Sequence, residues 1–129
     1  MSKTIINTTK APAPIGPYNQ SVKANGFLFV SGQIPIDPET GDLKVGNTVT
    51  ETTQVMENIK AILEEAGLGF DNVVKSTIFL NDMGLFAEVN KVYGSYFSEQ
   101  NAPARETVAV QTLPKNVNVE ISVIAVFSE

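Results

Sequence analysis

The chain has no cysteine, no histidine and no tryptophan, and a single arginine, Arg105, among nine basic residues. Without cysteine there is no disulfide framework, thiolate nucleophile or cysteine-zinc site. The lack of histidine excludes a Ser-His-Asp triad, the commonest metal ligand and the usual base near neutral pH. No G-x-G-x-x-G or G-x-x-x-x-G-K-[ST] loop for a dinucleotide or phosphate is present; Gly67-Leu68-Gly69 comes nearest and reads as a helix stop. No apolar run approaches the length of a membrane span, and the opening residues MSKTIINTTKAPAP lack the apolar core of a secretory leader. A soluble, cytoplasmic protein is expected. Basic clusters are missing too: the lysines are scattered singly and net charge is −5, which argues against nucleic acid as a partner. Any chemistry rests on carboxylates, hydroxyls, lysine or Arg105.

What is present fits one globular domain over residues 1–129, with 43% apolar residues and no low-complexity segment. Residues 4–7 read as a short edge strand. Three prolines and a glycine between Ala11 and Pro17 make a stiff, non-helical arm ending at Tyr18. Asn25-Gly26 between two apolar runs is a hairpin signal, and Ser31-Gly32 reads as a turn closing the second strand. Residues 48–51 have the S/T-x-x-E form of a capping box. Val55, Ile59, Ile62 and Ala66 then recur at helical spacing up to Gly67. Residues 73–80 form an apolar strand. Asp82 caps a second helix with stripes Leu85, Val89, Val92, Tyr96 and Phe86, Tyr93, Phe97. Asn90 lies on the latter stripe, where an amide is expected to hold a neighbouring loop.

The C-terminal third organises the rest. Two β-branched runs, residues 107–112 and 117–127, flank the breaker cluster Leu113-Pro114-Lys115-Asn116 and read as a β-hairpin. Such pairing sets Arg105 roughly opposite Glu120. A planar guanidinium suits a carboxylate ligand as no ammonium can, and Glu120 interrupts an apolar strand, where a charge must be paired or used. An Arg and a Glu on neighbouring strands are most often a surface ion pair, so the rest of the chain has to decide. The resulting order, β-β-β-α-β-α-β-β, predicts an α+β fold: a six-stranded, mostly antiparallel sheet with two helices on one face. Two helices leave the other face bare, although strands 73–80 and 117–127 carry apolar residues on both sides. A closed homo-oligomer packing sheet on sheet would cover it.

Gly16-Pro17-Tyr18-x-Gln20, Ser31-Gly32-Gln33-Ile34-Pro35, Pro103-Ala104-Arg105 and Leu113-Pro114-Lys115-x-Val117-x-Val119-Glu120-Ile121 occur in order across nearly the whole chain. Together they resemble the RidA/YjgF family, the reactive intermediate deaminases. The resemblance implies the fold of the small trimeric chorismate mutases, a homotrimer with clefts between subunits, and cofactor-free, metal-free hydrolysis of 2-imino acids. Typical substrates are 2-aminoacrylate, through its imine, and 2-iminobutanoate; the products are 2-oxo acids and ammonia. Arg105 matches the family's carboxylate-binding arginine and Glu120 its water-positioning acid. Tyr18, Ser31, Gly32 and Asn90 match cleft residues. Where many members carry a small residue and then cysteine after the arginine, this chain has Glu106 and Thr107. By strand parity Thr107 shares a side with Arg105 and takes the place of the thiol, whereas Glu106 points away. The rival readings are a carboxylate-binding regulatory module using the same cleft, an RNA-directed role of the kind described for similar animal proteins, and chorismate mutase activity.

Overall fold

A computed structural model describes residues 2–128. Strands β1 (Thr4–Ile6), β2 (Ser21–Ala24) and β3 (Phe27–Gln33) precede helix α1 (Thr48–Glu65). Strand β4 (Val73–Leu80), helix α2 (Phe86–Gly94), β5 (Ala104–Ala109) and β6 (Val119–Val126) complete the order. All six strands join one sheet, β1-β2-β3-β6-β4-β5, with every pairing antiparallel except β4 with β5. The expected α+β architecture is present. No helix among the described residues is long and apolar enough to cross a membrane.

Local chemistry accounts for most of the elements. Asn25 and Gly26, at φ 53° and 83°, make the tight turn that β2 and β3 require. Asn47, not Thr48, caps α1: its side chain accepts from Thr50 N at 2.7 Å. The anticipated capping box therefore begins one residue earlier, and Glu51 is released for another task. Leu68 N and Gly67 N bond back to Leu63 O and Glu64 O, at 2.8 and 3.0 Å, and Gly67 takes the left-handed conformation, φ 77°, that ends helices in this way. The α1 stripe of Val55, Met56, Ile59, Ile62 and Leu63 is fully buried against Val119, Ile121, Val123 and Ala125 of β6. Asp82 caps the short turn Met83–Leu85 that leads into α2. From α2, Val89 and Tyr93 are buried, one from each anticipated stripe.

The hairpin expected from the last two strands does not form. β5 runs parallel to β4, and β6 inserts between β3 and β4. The burial patterns explain the preference. β6 alternates buried and half-buried along its whole length, whereas every β5 residue except Thr107 is exposed. The more apolar strand gains two neighbours in the middle of the sheet, and the polar one takes the edge. The breaker cluster becomes a crossing over the end of β4, anchored by buried Leu113 and Val117. Ser31-Gly32 is no closing turn either. β3 continues through it to Gln33, with a bulge between Val30↔Val123 and Gln33↔Ile121. On the face away from the helices Phe27, Phe29, Val74 and Val108 stay exposed. A register shift interrupts β4 between Val73, which is buried in the core, and Lys75.

Candidate functional site

Because β4 separates β5 from β6, Arg105 and Glu120 are not paired. Arg105 stands opposite Ser76 in the register, on the helix-covered face; Glu120 stands opposite Phe79, on the bare face. The residues singled out from the sequence thus fall into two groups on opposite sides of one sheet.

The first group lies between β5 and α2. The guanidinium of Arg105 donates to Asn90 Oδ1 at 2.6 Å, and its Cζ is 5.5 Å from the ring centre of Phe86 and 5.3 Å from that of Tyr93. Asn90 therefore holds the arginine rather than a loop. The ring faces favour the cation, and a guanidinium with one side-chain partner keeps further donors for an anion. Tyr93 donates to the buried Ser76 hydroxyl at 2.9 Å. Burial pushes the Tyr93 phenol above its ordinary value, against the opposing pull of Ser76 and Arg105. Thr107 lies on the same side as Arg105, and its buried Oγ1 has no hydrogen-bond partner among the described residues. Glu106 projects to the other face, 3.2 Å from Lys75 Nζ.

The second group lines a cleft of about 550 Å³ that holds Glu120, Tyr18, Ser31, Gly32, Lys115 and Pro114. Gly32 is required by the approach of the carboxylate. A Cβ there would meet Glu120 Oε2 and stand 2.9 Å from Glu120 Cδ. Burial raises the Glu120 carboxyl above its ordinary value, which moves it toward the range useful for proton transfer near neutrality. The Ser31 hydroxyl donates to Asn19 O at 2.6 Å, so it can accept from a ligand but has no proton left to donate. The Tyr18 hydroxyl accepts from Ile15 N at 3.4 Å and keeps its own proton.

Sequence reasoning passed over four contributors. Lys115 reaches this cleft from a turn in which it and Asn116 both have positive φ, 55° and 57°; no glycine marks it. Glu51, 1% exposed, accepts from Asn118 N and Nδ2 at 3.2 and 2.7 Å. It thereby ties the strand that carries Glu120 to the first turn of α1. Phe86 and Tyr93, a packing stripe in the sequence, are the two rings beside the Arg105 guanidinium. Among the described residues no three histidine, cysteine, aspartate or glutamate side chains converge as metal ligands.

A family model described as Endoribonuclease L-PSP matches residues 8–127. A RutC family protein of Synechocystis is 54% identical over 98% of each chain. The mouse 2-iminobutanoate/2-iminopropanoate deaminase is 45% identical over 96% of this chain and 91% of its own. Among solved structures, a Rid-family protein of Yersinia pestis superposes with a TM-score of 0.94 at 47% identity, covering 97% of this chain and 99% of the other.

Proposed function

Since the chain belongs to the endoribonuclease L-PSP family, the RidA/YjgF proteins, we propose that it hydrolyses reactive 2-imino acids, such as 2-iminobutanoate and the imine of 2-aminoacrylate, to 2-oxo acids and ammonia. The site is completed by a second copy of the chain. The observation that carries this reading is the division of the site: a guanidinium with free donors on one face of the sheet, a desolvated carboxylate on the other. Neither half alone both grips and hydrolyses an imino acid, and within one chain they cannot meet.

A surface that pairs with a different surface of the next copy forms a heterologous contact, and such contacts give a ring where the rotation closes and an open filament where it does not. The ring is a cytoplasmic homotrimer, in line with the family resemblance and with the apolar residues exposed on the bare face. In each cleft Arg105 of one copy grips the substrate carboxylate bidentately, steadied by Asn90, while the Thr107 hydroxyl donates a hydrogen bond. Glu120 of the other copy takes a proton from water as the oxygen attacks C2. It passes that proton to the imine nitrogen to give the carbinolamine, then takes the hydroxyl proton and delivers it to the amine as C=O forms, the C–N bond breaks and ammonia leaves. Tyr18, Ser31 and the Gly32 backbone shape the wall. Proximity and one acid–base group suffice for an imine that already reacts with water, so the chemistry needs no cofactor or metal.

Mixing tests the shared site. Arg105→Ala and Glu120→Gln are each expected to be inactive alone. Refolded together in equal amounts, they should regain about a quarter of wild-type imine hydrolysis, because one contact in four then unites two intact halves. A mixture as inactive as its components overturns the shared site. Scattering should return a mass three times the 13.9 kDa of the chain.

The description of the matching family favours a second reading, cleavage of RNA. Singly placed lysines and a net charge of −5 make a weak electrostatic footprint for it. RNA left intact after incubation with the protein at low salt removes that reading.

A further inference from the structure

We propose that the wall formed by Ile34 and Ile36 is a side-chain subsite, and that the preferred substrates are imino acids with a bulky, branched apolar side chain rather than the smallest ones. This rests on the hydrolysis proposed above and concerns which imine is taken. With the carboxylate on Arg105 of one copy and C2 beside Glu120 of the other, the side chain is the remaining substituent to be placed. On one chain the open cleft around Glu120 measures about 550 Å³ before a second copy covers it, which leaves room for a side chain beside the reacting carbon. Most of its remaining lining is apolar, Pro12, Ala13, Ile15, Ile34 and Ile36, beside the amides of Gln20 and Gln33. A methyl group would leave that surface to water, whereas a branched chain would cover it.

Both sides of the subsite are held in place by buried amides. Asn58, 1% exposed, reaches from α1 and donates through Nδ2 to Ile34 O at 3.2 Å and Ile36 O at 3.0 Å. Its Oδ1 accepts from Gln54 at 2.8 Å. The same loop is closed by Lys44 N on Pro35 O at 2.7 Å and by the bridge between Ile36 and Leu43. Across the cleft Gln20, also 1% exposed, donates to Thr8 O, Ala11 O and Pro12 O at 3.0, 3.2 and 2.8 Å. Two loops that could have been mobile are thus preorganised walls, and a ligand orders little on binding. Lys115 is the cation of this lining and stands for the competing possibility, an acidic side chain.

The test compares imines generated in situ from leucine, alanine and glutamate with an amino-acid oxidase. The leucine imine is expected to exceed the alanine imine in kcat/KM by roughly tenfold, the scale on which apolar pockets discriminate by size, and the glutamate imine to be the poorest. Ile36→Ala should lower the leucine-to-alanine ratio. Asn58→Ala, acting through the loop, should lower it as well; should that variant fail to fold, Ile36→Ala and Ile34→Ala carry the test. Equal rates for leucine and alanine imines, or a ratio unchanged in the Ile36 variant, overturn the subsite. Preference for the glutamate imine also overturns it, in favour of Lys115. Failure to accelerate any imine sinks the hydrolysis itself, a result distinct from all of these.

Discussion

The two halves of the site are built in opposite ways. The Arg105 half is made by side chains on side chains: an exposed arginine on an edge strand, an amide and two rings from one short helix. The Glu120 half is made by backbone: a bulge with a glycine, a proline-rich arm held by the buried Gln20 amide, and a left-handed turn anchored by buried Leu113 and Val117. The positive group stays in water until another surface covers it, while the negative group is already partly desolvated. A hydrated cation can wait at the surface at little cost. A carboxylate serving as a base near neutrality needs its raised pKa built into the fold. The carboxylate half therefore has the elaborate scaffold.

The largest effect should come from the half that has least structure around it. Arg105→Lys replaces a fork by a point charge. Imine hydrolysis should fall about 100-fold or more in kcat/KM, the scale of a lost charge-assisted hydrogen bond of about 3 kcal/mol. Unfolding in urea should shift by less than about 0.5 kcal/mol, as for an exposed position. Gly32→Ala should come next, and it probes the other half. The added methyl meets the far end of the Glu120 side chain rather than backbone, so the carboxylate moves and the fold accommodates it. Turnover should drop by about tenfold or more on the scale of lost acid–base catalysis, with the melting temperature nearly unchanged. A Gly32→Ala protein as active as wild type would show that the position of this carboxylate does not matter.

Glu120→Gln sharpens the same contrast through pH. Because burial raises the folded-state pKa of Glu120, ionising it opposes folding. That penalty is absent below the ordinary carboxylate value and grows as pH rises through the raised one. The glutamine variant should therefore melt higher than wild type at about pH 7 and coincide with it at about pH 3, while losing turnover. Wild-type activity should rise with pH on an acid limb displaced upward from an ordinary carboxylate. A variant no more stable than wild type at neutral pH would show that the folded state bears no such penalty.

The helices and the first hairpin were legible because their signals are local: a 3.6-residue stripe for α1, Asn-Gly for the turn before β3. Thr107's side of β5 followed from parity alone. The pairing of the last strands was not legible, because two runs adjacent in sequence mimic a hairpin whatever lies between them in space. Only competition among all strands for the centre of the sheet places β4 there. The same limit hid the division of the site, since Arg105 and Glu120 look adjacent in a hairpin and stand on opposite faces once β6 moves. Glu51 satisfied a capping pattern in the sequence. Asn47 took the cap, and the carboxylate went to Asn118, 67 residues away, a contact that no local pattern encodes. Lys115 and Asn116 adopt left-handed geometry without glycine, which only the anchored crossing around them imposes.

The smallest expected effect concerns Thr107, where the two halves can be compared for hydrogen bonds left unmade. In the Glu120 half the buried amides Gln20 and Asn58 are fully occupied, whereas Thr107 Oγ1, beside Arg105, is buried without a partner among the described residues. A buried hydroxyl lacking a bond costs about 1–3 kcal/mol relative to a satisfied one, and valine has the same shape without that cost. If the hydroxyl is kept for a substrate, Thr107→Val should raise stability by up to about 1 kcal/mol while raising KM for the imine more than it lowers kcat. A valine variant that is both more stable and kinetically identical would mean that the hydroxyl serves nothing in the cleft. One that is less stable would mean that a water already satisfies it, and that the Arg105 half is as fully bonded as its counterpart.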